Sequence, residues 1–111
     1  MQVYDSANKL AKEIRDSKEY KEYKKIKQNI EKNEEKKNKI EKFEHLRYEI
    51  QIKSMQGGVE NLQEQNELLQ QEYGELLQDE ELKKYFDAEV KFNIMLADIN
   101  KIIAESVRDV L

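Results

Sequence analysis

Apolar residues recur at every third or fourth position along nearly the whole chain. Val3, Ala7, Leu10, Ala11 and Ile14 share one helical face. Asp16 and Ser17 then offer polar caps, with Glu19 three residues after Asp16 in a capping-box arrangement. Tyr20, Tyr23, Ile26 and Ile30 form a second stripe. Asn33 reads as the next cap, and Glu34 and Glu35 behind it suit the positive end of a helix dipole. Ile40, Phe43, Leu46 or Arg47, and Ile50 make a third stripe that ends near Met55. Gly57-Gly58 is the strong breaker pair and reads as a turn.

Beyond it the pattern tightens to a heptad. Val59, Leu62, Asn66, Leu69, Tyr73 and Leu76 alternate by three and four, with Asn66 as the polar member. Asp79 is the next cap. Leu82, Tyr85, Glu89, Phe92, Leu96, Ile99, Ile103, Ser106 and Val110 then hold the alternation, enough for a helix of about 43 Å at 1.5 Å per residue. The step from Leu76 to Leu82 is six rather than seven, so a break near Asp79 is favoured over one continuous rod. No alternating β-branched run is present. The expected fold is all-α: about five helices in one domain over residues 1–111, an elongated helical bundle completed by self-association.

Composition supports the need for a partner. Charged residues make up 40% and hydrophobic ones 38%, and the mean hydropathy is −1.01. Leu, Ile, Val and Phe total 28 of 111 residues, above the level of roughly 20% expected of disordered chains but thin for a small core. A homodimer is therefore expected. Its interface falls on the two heptad seams, at Leu62, Asn66, Leu69, Tyr73 and Leu76, and at Phe92, Leu96, Ile99 and Ile103. At a seam, Asn66 either fixes register against a polar partner or sits solvated at the rim. Glu89 needs a basic partner or an edge location, because a buried unpaired charge is costly.

Pro, Cys and Trp are absent and Gly occurs three times. That excludes collagen-like chains, disulfide scaffolds, Cys-ligated metal centres and Gly-rich phosphate loops. With no long apolar span and no secretory leader pattern at the start, the expected location is the cytoplasm. His45 is the only histidine, and neither Glu-x-x-His nor His-x-x-x-His occurs, so no metal, cofactor or catalytic residue is expected. Paired acids such as Glu34-Glu35 and Glu80-Glu81 fit helix starts better than acid–base chemistry, which needs a partly dry pocket.

Charge is uneven. Residues 18–42 hold ten Lys against six Glu, and residues 60–81 hold eight acids and no base. Interleaved tyrosines and lysines at 18–27 offer a nucleic-acid surface, with Lys on phosphate and Tyr on bases. The competing reading puts Tyr20 and Tyr23 in the core and the lysines on the solvated side. Two function classes follow: a helical regulator or adaptor working through protein contacts, and an RNA-associated accessory protein using the 18–42 lysines. The acidic total makes nucleic acid the weaker partner, and no membrane partner is expected.

The opening Val3-Tyr4-Asp5-Ser6-Ala7-Asn8-Lys9-Leu10, the Ser17-x-x-Tyr20 step, Phe43 in a Leu/Ile-spaced helix, and the ending Ala97-Asp98-Ile99-Asn100-Lys101-Ile102-Ile103 carry a family likeness. The chain resembles the YlbF/YmcA family of small bacterial helical proteins, nearest to its YheA-type subgroup. The resemblance implies an all-α, cytosolic, self-associating protein without enzymatic activity. One branch of that family is implicated in development, competence and RNA processing, and its members carry cysteines linked to an iron–sulfur cluster. This chain has no cysteine, so that cofactor does not carry over.

Overall fold

A computed structural model describes residues 1–57 and 62–111. They form five helices: α1 (Gln2–Asp16), α2 (Lys18–Glu31), α3 (Glu34–Met55), α4 (Leu62–Leu76) and α5 (Glu80–Ser106). Among the described residues there is no strand.

Each boundary has a local chemical cause. Between α1 and α2 stands Ser17 alone, with extended backbone. Its hydroxyl donates to the Ile14 carbonyl at 2.6 Å and accepts the Tyr20 amide at 3.2 Å. This corrects the expected capping box. Asp16 is still helical, so it cannot be the cap, and the third helical position after Ser17 is Tyr20, which has no carboxylate to return the bond. Asn33 is extended, and its side-chain oxygen accepts the Lys36 amide at 3.1 Å. Gly57 has φ +79°, the left-handed region that glycine enters at little cost. Gly58 and Val59 lie outside the described residues. Asp79 caps α5, one carboxylate oxygen accepting the amides of Glu81 at 2.9 Å and Leu82 at 3.2 Å.

The described chain resolves into two compact units. The second unit spans Gln28–Lys84. In it α3 packs on α4 over a core of Ile30, Ile40, Phe43, Ile50, Leu76 and Leu82, and the Phe43 and Tyr73 rings stack at 5.5 Å. Lys36 meets Asp79 while Phe43 meets Tyr73, so the two helices run antiparallel.

The first unit comprises Met1–Lys27 and Tyr85–Leu111. Tyr85, Phe86 and Ala88 are buried. Phe92 is half-buried between Tyr20 at 6.0 Å and Tyr23 at 5.6 Å, and Tyr23 also lies 5.6 Å from Tyr85. Phe86 and Ala88 stand off the expected heptad line, so the core-facing stripe of α5 is wider than a two-position seam. The helix also ends before the expected row does. The Ser106 hydroxyl donates to the Ile103 carbonyl at 2.6 Å, a local bond that competes with helix continuation, and Val110 lies exposed beyond the helix.

Candidate interaction surface

In the first unit, α1 is strongly amphipathic yet has no buried residue. Leu10 and Ile14 are half-buried, while Val3 is 71% and Tyr4 67% exposed. On α5 of the same unit, Phe92, Leu96 and Ile99 are half-buried, but Ile94, Ile102 and Ile103 are more than half exposed. Isolated exposed apolar residues are ordinary on a protein surface. Here Ile103 continues the row of Leu96 and Ile99, so the apolar stripe runs on past the core. Glu89, expected to need a basic partner or an edge location, is half-buried and accepts from the Tyr23 phenol at 3.2 Å. A hydroxyl satisfies the carboxylate without a second charge.

In the second unit the α4 seam divides. Tyr73 and Leu76 are taken up by α3, Leu62 and Leu69 are half-buried, and Asn66 is exposed. A groove of about 480 Å³ opens between α3 and α4, floored by Phe43, Leu76 and Leu82 and flanked by Leu46 and Leu68. Near its end Lys36 reaches Asp79 at 3.3 Å and Glu81 at 2.9 Å. The hydrogen bond that Lys36 donates to Glu81 leads in raising the Lys36 pKa, aided by Asp79 and outweighing desolvation. For Asp79, desolvation pushes the carboxyl up, but the Leu82 amide, Lys36 and the Glu81 amide together hold it below its ordinary value. Nothing in the spacing of Lys36 marks it for this role; the partners lie more than forty residues away and meet only in the fold.

The tyrosine–lysine stretch adopts the core arrangement. Tyr20 and Tyr23 turn their rings to α5, with Lys24 and Lys27 over those rings at 5.7 and 5.8 Å. His45 is exposed, its Nδ1 lying 3.4 Å from Glu49 one turn on. Among the described residues no group of three or more His, Cys, Asp or Glu converges as a metal site would require, and no helix is long and apolar enough to cross a membrane. The described surface carries apolar stripes, a groove and ion pairs.

Residues 3–108 match the family described as "Control of competence regulator ComK, YlbF/YmcA". The chain belongs to the YlbF/YmcA family. A UPF0342 protein of Alkalihalophilus pseudofirmus is 35% identical over 108 residues, covering 97% of this chain and 91% of its own length. One from Symbiobacterium thermophilum is 34% identical over 105 residues, covering 95% and 93%. Another from Halalkalibacterium halodurans is 30% identical over 108 residues, covering 97% and 92%. None of these relatives' names states a reaction, and the YlbF/YmcA description itself speaks of control of a regulator.

Proposed function

We propose that this chain is a non-enzymatic cytoplasmic regulatory or adaptor protein of the YheA type that acts through protein–protein contacts and forms a homodimer. The observation that carries the reading is the uncovered apolar stripe of the first unit: an amphipathic α1 with no buried residue, and the exposed Ile102 and Ile103 on α5. Leu62, Asn66 and Leu69 on α4, and Leu96, Ile99 and Ile103 on α5, are the proposed contact residues. Tyr73, Leu76 and Phe92 back them from within their own units. The sequence likeness at Val3–Leu10 and Ala97–Ile103 supports the subgroup.

Sedimentation equilibrium at micromolar concentration tests the assembly. The expected mass is twice 13.3 kDa, and a mass near 13.3 kDa overturns it. Pulldown from the native cell with and without nuclease tests the contact class. Partners that persist after nuclease are expected; partners lost with the nucleic acid would replace the adaptor reading with an RNA-associated one.

A further inference from the structure

We propose that the α3–α4 groove face of the second unit is a copy-to-copy contact, formed around a two-fold axis parallel to the helices. The proposal rests on the self-association reading and adds to the contact residues named above a further patch, on α3 and α4. The face has an apolar middle, with Leu46 half-buried and Leu68 46% exposed. Its two rims carry opposite charge: Lys39 and Lys42 on α3, Glu72 and Glu75 on α4. Among the described residues Lys42, Glu72 and Glu75 make no ion pair within the chain, and Lys39 meets only Glu35, one turn back on its own helix. The other charges on the rims are engaged, Glu49 with His45 and Asp79 with Lys36.

The antiparallel register fixes what such an axis brings together. Phe43 is level with Tyr73, so Lys42 stands level with the segment between Glu72 and Glu75, and Leu46 with the segment between Leu68 and Glu72. A two-fold axis along the helices keeps every level and lays α3 of one copy over α4 of the other. Lys42 then faces Glu72 and Glu75 of the second copy, Leu46 faces Leu68, and the symmetry repeats both contacts. A two-fold axis across the helices at the level of Lys39 and Lys42 would lay α3 on α3, lysine on lysine, which like-charge repulsion disfavours. The face is thus complementary to itself, as an isologous contact requires.

Charge reversal at two exposed positions tests this by sedimentation. Lys42→Glu and Glu75→Lys are each expected to weaken the dimer by about tenfold or more, and the double variant to recover most of the loss. Helix content should be unchanged, since both side chains are exposed. Because the chain has no cysteine, a disulfide gives a second readout. On mild oxidation, Lys42→Cys chains mixed with Glu75→Cys chains should cross-link to each other in preference to themselves. A wild-type dimer indifferent to both reversals, or preferential self-linking of Lys42→Cys, overturns the proposal while self-association stands. A wild-type monomer overturns both.

Discussion

At Asp79 one carboxylate oxygen accepts the amides of Glu81 and Leu82 and the ammonium of Lys36. Replacement by alanine removes all three bonds, and loss of a cap of this kind costs about 1 kcal/mol, readable as a lower urea midpoint at neutral pH. Asp79→Asn keeps a capping acceptor but loses the charge. The direction with pH follows from the shifts. The Asp79 carboxyl is lowered in the folded chain, so its contribution is present above the unfolded aspartate range and is lost as pH falls through the folded value. Lys36 is raised, so its share is complete below the unfolded lysine range and is lost as pH rises through the folded value. Wild type and Asp79→Asn should therefore differ most in urea midpoint near neutrality and converge below the carboxylate range. The cap itself was legible, since an Asp before a hydrophobic period is a local signal. The Lys36 contact was not, because an ion pair between distant positions leaves no periodic mark.

The glycines separate two effects at the level of the helix. Gly57 ends α3 with a positive φ, whereas Gly74 lies inside α4; a Cβ added at either would meet nothing within 4 Å. Space is therefore not the issue, and backbone preference decides the sign. Gly57→Ala is expected to lower stability by about 1 kcal/mol, since an L side chain resists the left-handed region. Gly74→Ala should raise it by about 0.5–1 kcal/mol by favouring helix. Paired thermal or urea unfolding curves check both, and a shift of the same sign in each would refute the account. Element type was legible throughout because the apolar period is long and uninterrupted. Details at the ends were less so. Ser17 rather than Asp16 became the cap because Asp16 kept helical backbone, and α5 stopped at Ser106 although apolar residues continue to Val110.

For the molecule as a whole, weak binding to RNA and duplex DNA is expected. Fluorescence anisotropy at about 0.15 M salt checks it, and submicromolar affinity with a steep salt dependence would refute it. Tyr20 and Tyr23 hold their rings against α5, so they are not free to stack on bases, and Lys36 is engaged by two carboxylates. A row of apolar positions does not say whether its cover comes from the same chain; Tyr73, Leu76 and Phe92 found theirs internally, whereas Ile103 did not. The Ser17 joint bears on how such a chain can change length. With a single residue between two helices, one inserted residue would turn α1 by about 100° about its axis and aim its apolar row elsewhere. Lengthening the segment between α3 and α4 carries no such rotation penalty when the added residues form a loop, and loop length itself costs little. Insertions and deletions in related chains should therefore gather near Gly57 and avoid Ser17, so that the joint keeps α1 in phase with α2 while the rest of the sequence drifts.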